Sequence, residues 1–208
     1  MIGEAGSFAA DSLVGGFKEP VFGSQAVFHA LMSAMARPGT IHALAGFVTP
    51  PAPVNAAAAA MLAALCDADT TLWIDPVVDA ESAARSWFTF QTGTRLTSAI
   101  ADATFALVVQ PKKMPGLASM EQGSAEYPDR STTLVIQVDR LSEDGGLVLE
   151  GPGIETTATL GVEPLPAFFR EAWGENNARF PRGVDVVFAS PSAIACLPRT
   201  TRIIGGPR

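Results

Sequence analysis

Apolar and polar positions alternate along the chain with two different periods, and the switch between them marks the elements. In "VFGSQAVFHALMSAMARPGTI", Phe28, Leu31, Met32 and Met35 recur at i, i+3, i+4 and i+7, the spacing of one helical stripe. That helix is predicted to stop at Arg37, because Pro38 disfavours helical backbone in the residue before it and Gly39 supplies a turn. "VTPPAPV" reads as a stiff connector, and Asn55 then caps an alanine-rich helix over residues 56–66. A strand in "TTLWID", a helix over 81–91 and a second strand in "ATFALVVQ" follow. The second strand is apolar at successive positions, as a strand covered on both faces must be.

"PKKMPGLASMEQGSAEYPD" reads as loop with at most a short helix. Extended segments resume in "TTLVIQVDRL", "GGLVLEGPGI" and "ETTATL", with "EDGG" between the first two as a hairpin signal. The last helix lies in "LPAFFREAWGENNARFPRG", with Leu165, Phe168, Phe169, Ala172 and Trp173 as its apolar stripe; "VDVVFAS" and "AIACLP" are terminal strands. Strands alternating with helices predict a layered α/β fold. No repeat, charge block or long linker divides the chain, so residues 1–208 are expected to form one domain, with a flexible arm over 1–16 and a loose end over 204–208. Within "LPRTTRI", the segment after the last strand is expected to continue in extended form as far as Ile203.

Composition narrows the function classes. Residues able to fill a core make up 48% of the chain and charged residues 17%, which excludes compositional disorder. A net charge of -7 with no basic run argues against nucleic-acid binding by phosphate neutralisation. "VNAAAAAMLAALC" is too short to span a membrane, and the amino terminus lacks the basic and apolar regions of a signal peptide. Cys66 and Cys196 fit neither a metal spacing nor a disulfide framework, so a reducing cytoplasm is expected.

Candidate chemistry is sparse. His29 and His42 have no Cys or carboxylate at ligand spacing, and "DADTTLWIDP" lacks the glycine and terminal glutamate of a calcium loop, so no metal site is expected. Neither a phosphate-binding glycine loop nor a serine-nucleophile elbow occurs. Lys18, Lys112 and Lys113 all sit in arm or loop segments, which does not suit a lysine carrying a cofactor. The arginines remain. Arg37, Arg182 and Arg199 each adjoin a proline or glycine that fixes the local backbone, and Thr200, Thr201 and Arg202 add donors beside Arg199. These six residues are the candidates either for gripping an anion or for facing a protein partner.

"VFHALMSAMARPGTI", "EGPGI", "FPRGVDVVF" and "LPRTTRI", in this order, resemble the H subunit family (PhnH) of the bacterial carbon-phosphorus lyase system, over roughly Phe17 to Ile203. The resemblance implies a three-layer α/β/α fold with a mixed sheet, like the large domain of pyridoxal-phosphate-dependent transferases but without the cofactor, and neither catalytic residues nor a cofactor in this chain. It further implies a homodimer, and a place beside the G, I and J subunits in a core complex. There G, H and I, with the L protein, displace adenine from ATP by a phosphonate to give a ribose 1-phosphonate 5-triphosphate. The radical cleavage of the carbon-phosphorus bond belongs to J, and two scattered cysteines here do not hold an iron-sulfur cluster.

Overall fold

A computed structural model describes residues 14–206. Its centre is a seven-stranded mixed sheet in the order β1-β9-β8-β5-β4-β2-β3, built from β1 (His42–Ala43), β2 (Thr71–Ile74), β3 (Arg95–Thr97), β4 (Phe105–Val108), β5 (Thr133–Gln137), β8 (Asp185–Ala189) and β9 (Ala193–Leu197). Strands β3, β2, β4, β5 and β8 run parallel; at one edge β9 alone is reversed, pairing antiparallel with β8 on one side and with β1 on the other. A smaller antiparallel sheet has the order β10-β6-β7, from β6 (Arg140–Glu150), β7 (Ala158–Glu163) and β10 (Arg202–Gly205).

The pleat sorts the core into two layers. Leu72, Ile74, Leu107, Val135, Val187, Ile194 and Cys196 face helices α1 (Pro20–Ala36), α2 (Ala56–Leu65) and α4 (Ser82–Thr92). Their sequence neighbours Trp73, Ala106, Val108, Leu134, Ile136, Val186, Phe188 and Leu197 face the opposite way. That second face is covered by helix α5 (Phe169–Asn177), by the small sheet through Leu147, Leu149, Leu160 and Val162, and by the loop residues Met114, Leu117 and Met120. Both faces of the central strands are thus buried, which is why these strands are nearly continuously apolar. Phe169 of α5 stacks with Trp173 at 6.1 Å and meets Phe188 of the sheet at 5.5 Å, anchoring the helix.

Several elements match the expected ones and several depart. Asn55 caps α2 as expected, its side chain accepting the Ala58 N–H at 2.8 Å. The short helix α3 (Pro76–Asp79) was not foreseen. "EDGG" is not a hairpin turn but an excursion within the single strand β6, where the partner advances one residue, Gly161 to Leu160, while β6 runs from Ser142 to Leu147. Gly145 and Gly146 allow it with φ of 73° and 79°. The segment before it also divides, since β5 joins the large sheet and the chain crosses to the small one before Arg140.

The stripe expected for α1 is rotated. Gly23, Val27, Leu31 and Ala34 are buried, whereas Phe28 and Met32 are 46% and 52% exposed. The inward face is the one lined with small residues, which lets α1 lie close to the alanine-rich α2. In α5, Phe169, Trp173 and Asn176 are buried and Phe168 is 41% exposed. Residues 198–201 form a turn rather than an extended run, and β10 continues to Gly205, past the expected onset of a loose end at 204, because it is hydrogen-bonded to β6. The expected flexible arm lies outside the described residues except for 14–16.

Candidate functional site

The four stretches singled out in the sequence meet in space, and glycines are the reason they can. Helix α1 ends where the Arg37 N–H reaches Ser33 O at 3.1 Å; Thr40 then returns both its N–H and its hydroxyl to Arg37 O, at 3.2 and 2.7 Å. Against this corner lies the turn after β6, closed by Ile154 N–H to Gly151 O at 3.1 Å. Gly153, at φ 82°, packs directly on the Ala36 carbonyl, and a Cβ on Gly39 would stand 2.7 Å from that of Ala158. On the other flank, a Cβ on Gly151 would stand 3.0 Å from Thr200 O and 3.2 Å from Thr201 Cα. "ARPGT", "EGPGI" and "PRTTR" are therefore three interlocked turns.

The fourth stretch joins through a charge pair. The Arg199 guanidinium is bound fork to fork by Asp185 at the start of β8, with Nε 3.1 Å from Oδ1 and Nη2 against Oδ2, while Asp185 Oδ1 also accepts the Arg199 backbone N–H at 2.7 Å. Nη1 donates to Pro128 O at 2.6 Å and to Pro181 O at 3.5 Å. Both side chains are largely buried, 13% and 14% exposed. Any external anion at Arg199 would have to displace the protein's own carboxylate.

The other candidates take separate places. Thr200 is half-buried; Thr201 is fully buried, with its carbonyl accepting from Trp173 Nε1 at 2.9 Å and Asn177 Nδ2 at 3.3 Å and its hydroxyl without a partner among the described residues. Arg202 lies on β10 and pairs with Glu150 at 2.6 Å, directly across the strand register. Arg37 and Arg182 are exposed, with no side-chain ion pair among the described residues. Arg37 sits at the interlocked corner, Arg182 beyond α5, so the six residues do not form one grip. Sequence reasoning missed Asp185, and with it Asn176, which accepts Val184 N–H at 2.8 Å and donates to Val184 O at 2.9 Å. The signal was present in "FPRGVD", where a carboxylate follows a constrained turn at a strand start.

His42 bonds Thr40 Oγ1 at 2.9 Å, and its pKa is lowered, first by burial and then by Arg37. Burial, with Asp67 second, pushes the Cys66 thiol up to about 12, and Cys196 is raised as well. Among the described residues no three His, Cys, Asp or Glu side chains gather as metal ligands, and all three lysines are exposed.

Open α/β sheets commonly bind ligands beyond the carboxyl ends of their strands. Here that rim is occupied by the chain itself. Asp75, after β2, accepts N–H groups from Val77, Val109 and Gln110 at 3.1, 3.2 and 3.1 Å. Gln137, ending β5, clamps the connector by accepting Asn55 N–H at 2.6 Å and donating to Pro53 O at 3.1 Å; Asn55 Nδ2 reaches Ala189 O, at the end of β8, at 2.8 Å.

The family model for PhnH, described as a bacterial phosphonate metabolism protein, matches residues 15–204, from the arm through all four stretches to β10. The chain belongs to the PhnH family. Among relatives, the alpha-D-ribose 1-methylphosphonate 5-triphosphate synthase subunit PhnH of Rhizobium meliloti (strain 1021) is 41% identical over 189 residues, covering 91% of this chain and 94% of that one. HtxG of Stutzerimonas stutzeri, proposed by its name as a C-P lyase subunit protein, is 40% identical over 86 residues, 41% of this chain and 44% of its own. Among the described residues no helix of this PhnH-family chain is long and apolar enough to cross a membrane.

Proposed function

We propose that the chain is a subunit of a carbon-phosphorus lyase assembly in phosphonate catabolism. It supports, with the G, I and L proteins, the displacement of adenine from ATP by a phosphonate, and does no chemistry alone. The observation that carries this reading is the end-to-end likeness to a synthase subunit, 41% identical over 91% of the chain. The internal use of the arginine and aspartate at the converged turns supports an architectural role for those stretches. The reading includes a cytoplasmic single domain with the layering of the pyridoxal-phosphate transferase large domain, a homodimer when isolated, and G, I and J subunits as partners. Supplied with ATP and methylphosphonate, the purified chain is expected to release no adenine, whereas the chain with G, I and L does. Adenine release by the chain alone overturns the supporting role.

The exposed guanidinium of Arg37, without an ion pair among the described residues, favours one second reading, in which the corner at the end of α1 holds a phosphonate or a nucleotide phosphate. Calorimetry with ATP and with methylphosphonate tests it. Heat lost in Arg37→Ala supports it, and no heat from the native chain removes it.

A further inference from the structure

A hollow of about 840 Å³ opens where the small sheet meets the start of α5, within the roughly 300–1,000 Å³ typical of small-molecule sites. Leu147 and Val162 of the small sheet, with Leu165 and Pro166 before the helix, form its apolar wall. Gly146 completes that wall without a side chain and has no room for one, since a Cβ there would stand 2.4 Å from Leu160 O. The charged lining comes from two successive residues of α5, Arg170 and Glu171.

Elsewhere on the small sheet, arginine is neutralised: Arg140 pairs with Glu163 at 2.7 Å and Arg202 with Glu150 at 2.6 Å. Arg170 and Glu171 pair with no opposite charge among the described residues. Arg170 is nonetheless held in place, its Nη1 donating to Gly206 O at 3.0 Å. Arg199 divides its donors in the same way, giving Nη1 to backbone carbonyls and forking Nε and Nη2 onto Asp185. At Arg170 no carboxylate of the described chain meets the Nε–Nη2 edge.

We infer that this hollow binds a small zwitterion, in which one carbon bears an ammonium, an acid group (carboxylate or phosphonate) and an apolar body. The acid group lies on the fork of Arg170, as planar bidentate contacts with an anion allow. The ammonium meets the Glu171 carboxylate, and the body lies against Leu147, Val162 and Leu165. Glu171 repels a simple anion and Arg170 a simple cation, so a ligand carrying both charges is the one that suits both side chains.

Calorimetry on the full chain tests the site, with L-phenylalanine and its aminophosphonate counterpart as the two acid forms. At least one of them is expected to bind saturably, and the tighter one identifies the acid group. N-acetylphenylalanine, phenethylamine and glycine each lack one of the three parts and are expected to bind at least about tenfold more weakly. Arg170→Gln and Glu171→Gln are each expected to weaken binding by a similar factor, whereas Arg37→Ala leaves affinity at this hollow unchanged and so separates it from the corner at the end of α1. A circular-dichroism melt checks that each variant folds. Glu171→Gln removes no ion pair among the described residues, so it reads the ligand contact even where Arg170→Gln loosens Gly206. No saturable heat from either zwitterion at about 10 mM, full affinity in Glu171→Gln, or glycine binding as tightly as the phenyl ligands overturns the site.

Discussion

Arg199 shows how a residue can be chosen correctly for its chemistry and wrongly for its partner. Its type and its place beside a proline marked it as a gripping side chain, and it does grip, but what it holds is Asp185, fourteen residues back in its own chain. Nothing local in the sequence pairs those two positions, since the contact exists only once β8 and β9 are adjacent. A largely buried, bidentate pair with two further carbonyl acceptors is strongly destabilising to break from one side. Arg199→Ala is expected to lower unfolding stability by about 3–5 kcal/mol in urea titrations, and Arg199→Lys to restore only part of it, because an ammonium cannot reproduce the planar fork. Unchanged stability in Arg199→Ala would contradict this account of the turn.

Element by element, the strands of the central sheet and the cap of α2 were readable because both signals are local: a two-residue pleat buried on both sides, and an Asn before an alanine run. The β6 excursion and the rotation of α1 were not. "EDGG" supplies the same left-handed glycines whether the chain reverses or merely bulges, and only pairing with β7 decides between them. Helix α1 is apolar on two faces, so periodicity names candidates for burial without choosing one. Glycines of equal backbone strain differ in surroundings. Gly153→Ala, at φ 82° and against the Ala36 carbonyl, is expected to cost well over the ~1 kcal/mol of backbone strain alone. Gly145→Ala, at φ 73° with open space around its Cα, incurs only that strain. Thermal melts of the two variants side by side measure the value of the interlocked turns.

Across the whole molecule, the layered α/β class followed from the order of segments, whereas the covering of the second face by a three-stranded sheet did not. That sheet draws β6 and β7 from mid-chain and β10 from the end, a long-range assembly with no local period. The two cysteines report on the integrity of the core. Cys66 is 7% and Cys196 0% exposed, and both thiols are raised by burial, so at pH 8 neither is expected to react with an aromatic disulfide reagent in the native chain. Both react on unfolding. Their raised pKa values also mean that the folded state holds these protons more tightly than the unfolded one, so their contribution to stability is complete below about pH 8.5 and fades in stronger alkali.

The filled rim of the central sheet sets a limit on redesign. Installing a lysine, or any other reactive group, beyond β2 or β5 would place it where Asp75, Asn55 and Gln137 already bind backbone. Excavation must precede decoration there: the proline connector has to be lifted away first, and with it goes the Asn55 cap that starts α2.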